Sequence, residues 1–378
     1  MKVIVAGAGP VGLTAALTLH RLGADVTVLE AGAALATQSR ASTFHPPSLE
    51  MLAGLGVLPA LLAQGLVSPR FQYRERGGGV IAELDMSLLA GDTPYPFRLQ
   101  CEQSKLTRLL LPLLPPGTVH FGQAVTGLSQ DPSGVTVHAG SAGESFRGDW
   151  LIGADGANSA VRRSLFGDAF EGITYPDRFL VGSTDEDLAA LLPGIAEVNY
   201  LFDPVEWLVL LRTPDHWRVL LPTPADTPDA AELDRLPRRL LGVADPGRPW
   251  RVAHTTLYRV HQRVAASFRA GRVLLAGDAA HINNPLGGMG MNSGIHDAVL
   301  LATALVTGDD GVITATAAGR RAVARDYVQR TTHGNWEKLR SGGASAYADE
   351  LRALAADPVA ARAHLLRSSM IASLREVA

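Results

Sequence analysis

Three glycine-bearing stretches hold the residues best suited to chemistry. The first is Gly7-Ala8-Gly9-Pro10-Val11-Gly12, with Glu30 closing the next apolar run. Glycine at that spacing permits a tight turn at Gly7, close approach of a pyrophosphate at Gly9 and close helix–strand packing at Gly12, and the free N–H groups of a helix start attract the anion. Glu30 is then positioned to accept hydrogen bonds from a ribose. The second stretch is Asp155-Gly156-Ala157-Asn158-Ser159, followed two helical turns after Asp155 by Arg162. At that spacing Asp155 and Arg162 can face one crevice, although Asn158 and Ser159 also read as a simple helix cap. The third is Gly277-Asp278-Ala279-Ala280-His281, running into Pro285-Leu286-Gly287-Gly288-Met289-Gly290-Met291-Asn292. Asp278 can accept from polyol hydroxyls, and the glycines let backbone lie against a flat ring. His281 reads more simply as a hydrogen-bonded core histidine.

These groups need strand ends and helix starts to hold them. Val3 to Ala6 reads as a buried strand, Val11 to Leu22 as a helix closed by Gly23, and Asp25 to Glu30 as a second strand, a βαβ opening. Pro46 and Pro47 precede a helix with Leu49, Leu52 and Leu55 on one side. Residues 70 to 100 read as irregular strands. A further helix over Glu102 to Leu114 is stopped by Pro115-Pro116-Gly117, and a hairpin turns at Asp131 to Gly134. Strand, turn and helix recur at 149 to 166. From 172 to 265 the pattern alternates, predicting an antiparallel sheet with Val198, Tyr200 and Phe202 on one face, Trp207, Val209 and Leu211 on one face of the next strand, and His216, Arg218 and Leu220 on one face of another. Arg272 to Ala276 returns as a buried strand, and the chain is largely helical from Asn292 onward, with one helix pointing its positive end at the ring site.

Composition narrows the classes. The chain has 378 residues, 47% of them hydrophobic, enough for a large core. Its formal net charge of −3 argues against a nucleic-acid partner. Cys101 is the only cysteine, which excludes internal disulfides, CxxC pairs and cysteine-rich metal sites; no metal is expected, and redox chemistry must come from a bound organic cofactor. The apolar start is too short for a signal peptide, and no run of about 18 apolar residues could span a membrane. A cytoplasmic protein is expected.

GAGPVG, GADGANSAVRR and GRVLLAGDAAH with the following P.GGMGMNSG..DA resemble, in order, the three motifs of the class A FAD-dependent monooxygenases, the p-hydroxybenzoate hydroxylase-like family. The resemblance covers about residues 1 to 305. It implies an α/β fold: a Rossmann-like FAD-binding domain of the GR2 type, with an inserted antiparallel β-sheet substrate domain and a helical C-terminal region. The expected division is 1–71, 100–171 and 266–310 for FAD, 72–99 and 172–265 for the substrate sheet, and 311–378 for C-terminal helices. The resemblance further implies noncovalent FAD held by Gly7, Gly9, Pro10, Val11, Gly12, Glu30, Ala31, Arg40, Gln103 and Val125. From the second motif it adds Asp155, Gly156 and Arg162, and from the third Gly277, Asp278, Pro285, Gly287, Gly288, Met289, Gly290, Met291 and Asn292. With 100 residues after Asp278, no thioredoxin-like C-terminal domain is expected.

The implied reaction consumes NADH or NADPH and molecular oxygen, and inserts one oxygen atom into an aromatic, polyketide-like or other bulky apolar small molecule through a flavin C4a-hydroperoxide. Only one strand-GxGxxG-helix unit is present, so the nicotinamide nucleotide must bind transiently as a co-substrate. No catalytic acid or base stands out. Two rivals remain at this level: an FAD-dependent reductase or oxidase on the same scaffold, and a binding protein that has lost the flavin.

Overall fold

The buried runs Lys2–Ala6 and Asp25–Glu30 pair in parallel at the centre of a six-stranded sheet. Its order is Arg269–Ala270, Val273–Leu275, Trp150–Gly153, Lys2–Ala6, Asp25–Glu30, Val119–Phe121, parallel throughout except at the first pair. This computed structural model describes residues 1–37, 41–203, 206–341 and 345–375. Parallel neighbours require long crossovers, and the helix Pro10–Arg21 supplies the first of them, with Pro10 in its first turn where a missing N–H costs nothing. The architecture is mixed α/β around this Rossmann-like parallel sheet.

A second sheet has eight strands, in the order His281–Ile282, Val252–Val264, Glu171–Thr184, Trp217–Pro224, Leu208–Arg212, Val198–Phe202, Arg70–Glu75 and Val80–Asp85. The alternation predicted for 172 to 265 holds here, but the sheet is not purely antiparallel: Val198–Phe202 pairs in parallel with Arg70–Glu75. No hairpin joins two strands so distant in the chain, so nothing local forces them antiparallel. One face carries Leu201, Leu208, Leu210 and Leu221 against Leu236 and Leu240 of the helix Asp229–Leu241. The other carries Phe71, Tyr200, Phe202, Val209 and Leu220, and is met by Leu339, Leu351 and Leu365 from the C-terminal helices.

The helix Met289–Thr307 begins three residues earlier than the sequence reading. Gly288, at φ +67°, starts it in a left-handed conformation that a side chain would resist. The last part of the chain is helical, including a π-helical stretch at Val323–Gln329. Among the described residues no helix is long and apolar enough to cross a membrane.

Candidate functional site

The three motifs meet at the carboxyl edge of the six-stranded sheet. A side-chain carbon added at Gly7 would lie 2.5 Å from the carbonyl oxygen of Ala154, and one at Gly12 would lie 1.9 Å from that of Gly7. Real carbons do not approach so closely, so both positions are closed to any other residue. Gly9 is different: nothing lies within 4 Å of its missing side chain. It caps the first helix without any side-chain hydrogen bond. An uncapped helix start over open space is the cradle an anion requires. Val11 turns toward the third motif, where added carbons at Gly277 and Gly294 would come within 2.9 and 2.6 Å of it.

The carboxylates are held differently. Glu30 accepts from the backbone N–H groups of Ala8 (2.7 Å) and Gly32 (2.8 Å), which ties the end of its strand to the glycine loop. Asp155 accepts from the Ser159 hydroxyl and from the N–H groups of Ala160 (2.7 Å) and Val161 (3.1 Å). It therefore caps the helix Ala160–Phe166, together with Ser159. The Asp155 carboxylate stands near enough to act on the Arg162 charge, as does Asp278, although no hydrogen bond joins Asp155 to Arg162 among the described residues. Arg162 is buried, donates to the carbonyls of Ala157 (2.7 Å) and Ala279 (3.0 Å), and lies 3.7 Å from the centre of the Phe170 ring. It ties the second motif to the third. Gly156 keeps open space beside it, and Asp278 projects an exposed carboxylate from the short turn Gly277–Ala279.

Below that turn lies a closed ionic network. Asp297 accepts from Arg320 Nε (2.7 Å), from the Gly277 N–H (3.1 Å) and from His281 Nε2 (2.9 Å), all three side chains being buried. Burial alone would raise the Asp297 pKa, but Arg320 and His281 overcome it and hold it at about 2. His281 is thus the core histidine expected.

The ring-site loop is stapled from a distance. Asn292, fully buried, accepts from the His45 N–H (2.8 Å) and donates to the carbonyls of Thr43 (2.8 Å) and Gly288 (2.7 Å). Its side chain is spent on the scaffold rather than presented to a ligand. Burial first, and Arg98 second, push the His45 pKa down to about 3, so the neutral ring donates from Nε2 to the Gly287 carbonyl at 2.8 Å. Gly287 (φ +101°) and Gly288 bend the loop so that Gly288 lies against Thr43.

Met289 packs among Val323, Tyr327, Val328 and Met370 while also forming part of a cavity wall, and Met291 packs into the core of the six-stranded sheet. Gln103 starts its helix and accepts from the Ala41 N–H at 3.3 Å; Ala31 is exposed after its strand, and Val125 begins the strand Val125–Asp131. Arg40 lies outside the described residues.

A cavity of about 240 Å³ opens between this loop, the aromatic face of the eight-stranded sheet and the C-terminal helices. A narrow, mainly apolar extension of about 30 Å³ lies against Pro285–Gly288, walled by Val198, Val209, Leu211 and Leu220 with Thr43 and Arg98 at its edge. Tyr73 and Tyr200 stack with ring centres 5.5 Å apart, and Phe202 follows at 6.1 Å from Tyr73. The sequence reading placed Tyr200 and Phe202 on one face but missed Tyr73, Arg98, Arg330, Lys338, His364 and Arg367 on the cavity wall. One signal was available: Arg98 interrupts the apolar run Phe97 to Leu99.

An open parallel sheet with converging glycine turns, next to a second sheet enclosing a cavity, defines a dinucleotide-binding α/β protein with an adjoining small-molecule site. Residues 1–331 match the family described as FAD binding domain. The chain belongs to that family, and it is an FAD-dependent monooxygenase related to the p-hydroxybenzoate hydroxylase-like enzymes. It is 39% identical over 315 residues to para-nitrophenol 4-monooxygenase of Pseudomonas sp. (strain WBC-3), covering 80% of this chain and 77% of that one. It is 38% identical over 314 residues to 6-hydroxy-3-succinoylpyridine 3-monooxygenase of Pseudomonas putida (strain DSM 28022 / S16), covering 80% and 79%. The crystal structure of p-nitrophenol 4-monooxygenase from Pseudomonas putida DLL-E4 superposes with a TM-score of 0.91 at 32% identity, covering 96% of each chain. These relatives favour oxygenation over the non-oxygenating reductase or oxidase.

Proposed function

We propose that this protein hydroxylates a small, single-ring aromatic compound, using NAD(P)H and molecular oxygen, in the cavity beneath the Pro285–Gly288 loop. The observation that carries the substrate size is the cavity itself: about 240 Å³ with a narrow extension of about 30 Å³. That is below the roughly 300–1,000 Å³ of sites for drug-sized ligands. Within the range the sequence leaves open, a single ring is favoured over a polyketide. The relatives named for p-nitrophenol and a hydroxypyridine support this reading.

FAD fits the residues present. The open, uncapped start of the first helix at Gly9 would hold the pyrophosphate, Glu30 the adenosine ribose and Asp278 the ribityl hydroxyls. Gly287 and Gly288 would lie against the ring, with Gln103, Ala31, Val125 and Gly156 around the rest and Asp155 supporting the second motif. Met291 and Asn292 would act from behind, by shaping the loop, and Met289 both there and on the cavity wall. Bound there, FAD supplies hydride acceptance from NAD(P)H and activation of oxygen. The chain's own part is to hold the ring loop, through His45 and Asn292, against the apolar wall of Val198, Val209, Leu211 and Leu220, which would turn the substrate's flat face to the sheet and limit water at the reacting carbon.

We assign the FAD-binding body to 1–71, 100–171 and 266–310, the substrate sheet to 72–99 and 172–265, and the remaining helices to 311–378. The six-stranded sheet draws only on the first set, which supports the division; the strand His281–Ile282 belongs by pairing to the other sheet. A cytoplasmic site of action goes with this reading, since NAD(P)H is drawn from the intracellular pool. The test is NAD(P)H oxidation by the FAD-loaded protein, slow alone and accelerated by single-ring phenols. Equal rates with and without any such phenol would count against it.

A further inference from the structure

Arg98, from the short strand Arg98–Gln100, is 2% exposed, and its guanidinium lies 4.1 Å from the centre of the Phe71 ring. Its Nε has no hydrogen-bond partner, and among the described residues no carboxylate stands within ion-pair distance of it. Arg162, Arg178 and Arg320, also buried, each have a partner for the guanidinium, backbone carbonyls for Arg162, Asp229 for Arg178 and Asp297 for Arg320, although Arg178 Nε and Arg320 Nη1 are themselves unpartnered. An arginine does not escape burial by losing its proton, so a cation left unpaired inside the protein is costly unless something anionic joins it. Arg98 borders both the main cavity and its apolar extension.

The rest of the wall has the same sign. Arg330, Lys338 and Arg367 line the main cavity from its exposed edge, no aspartate or glutamate does, and among the described residues none of the three forms an ion pair, Arg330 acting on Asp326 only at longer range. This concentration of positive charge stands in a chain whose formal net charge is −3. His364 responds to it: burial first, then Lys338, Arg367 and Arg98, push its pKa down to about 4. A cavity lined by one sign of charge with low-dielectric walls focuses its field on the opposite charge. The aromatic wall of Tyr73, Tyr200 and Phe202 stands alongside, so the matching ligand is both flat and anionic.

We propose that Arg98 is the centre of an anion-binding subsite that selects an aromatic substrate by an anionic oxygen group on its ring, a carboxylate or an ionised phenol. Arg330, Lys338 and Arg367 form its outer rim and draw the anion in. The proposal rests on hydroxylation of a single-ring aromatic in this cavity, and it makes Arg98 the residue that decides which rings are accepted.

The FAD-loaded protein is titrated by equilibrium dialysis with 4-hydroxybenzoate and its methyl ester, and with 4-nitrophenol on either side of its own ionisation. The wild type is expected to bind the carboxylate, or the nitrophenolate, about ten- to 150-fold more tightly than the neutral counterpart, the range of a charge-assisted hydrogen bond. Preference in the first pair identifies a carboxylate as the ligand group, and preference confined to the second identifies a phenolate. Arg98→Met should abolish the preference while leaving neutral binding within about threefold, and Arg98→Lys should restore part of it. Without ligand, Arg98→Met should melt no lower than the wild type, because it removes an uncompensated buried charge. Equal affinity for charged and neutral partners, no saturable binding of either, or an Arg98→Met variant that keeps the preference would overturn the subsite. Oxygen incorporation into any accepted phenol would leave the monooxygenase reading intact in those cases.

Discussion

Replacing Asp297 with leucine tests how the third motif is held. The substitution strips Arg320, which is 1% exposed, of its only carboxylate partner among the described residues, and removes the acceptor for the Gly277 N–H. Breaking a buried ion pair from one side costs about 3–5 kcal/mol, and the stranded N–H adds about 1 kcal/mol or more. Set against a typical stability of about 5–15 kcal/mol, that leaves a marginal protein. The assay is urea denaturation of the FAD-free protein, followed by far-ultraviolet circular dichroism and by tryptophan fluorescence. Asp297→Leu with Arg320→Met should recover the ion-pair part of the loss, since it leaves no charge of that pair stranded, while the Gly277 N–H and His281 still lack their acceptor. Acid supplies an independent check. With the folded pKa near 2 and the free value near 3.8, the unfolded chain binds more protons between those limits. The contribution of Asp297 is therefore complete above about pH 4 and falls away toward pH 2, by about 2 kcal/mol at roughly 1.4 kcal/mol per unit. A single variant destabilised by less than about 1 kcal/mol, or a double variant no better than the single, would refute the ion-pair argument.

Gly12→Val should abolish FAD retention, because its first side-chain carbon would stand 1.9 Å from the Gly7 carbonyl oxygen; flavin absorbance of the purified variant decides, and a normal FAD content contradicts the turn geometry. Asp278→Ala should weaken FAD binding about ten- to 150-fold, the equivalent of about 1.5–3 kcal/mol for a charge-assisted hydrogen bond. Flavin-fluorescence titration measures it, and unchanged affinity in a folded variant would remove Asp278 from the site.

The first βαβ unit was legible in the sequence because its constraints are local. Gly7 and Gly12 are required by contacts within a dozen residues or across one sheet edge, and the spacing records that requirement. The staple formed by Asn292 was not legible, since its partners at Thr43 and His45 lie about 250 residues away, and a buried asparagine looks the same in sequence whether it faces ligand or scaffold. Asp155 shows a similar ambiguity: the helix cap and the ligand role call for the same residue, and only its N–H partners show that the cap is made. The parallel pairing of Arg70–Glu75 with Val198–Phe202 leaves no trace in alternation, which sets faces and not direction. Arg98 could be seen to interrupt an apolar run, but its interest lies in lacking a counter-ion, and that is a property of the folded chain.

As a monooxygenase, this protein transfers one atom of molecular oxygen to an aromatic ring. The direct test runs the FAD-loaded enzyme with NAD(P)H and an accepted phenol under isotopically labelled oxygen, and reads the product by mass spectrometry. One labelled atom per product molecule is predicted, with no product formed when oxygen is removed. A product that carries oxygen from water, gains only hydrogen, or forms equally well without oxygen would contradict the monooxygenase reading.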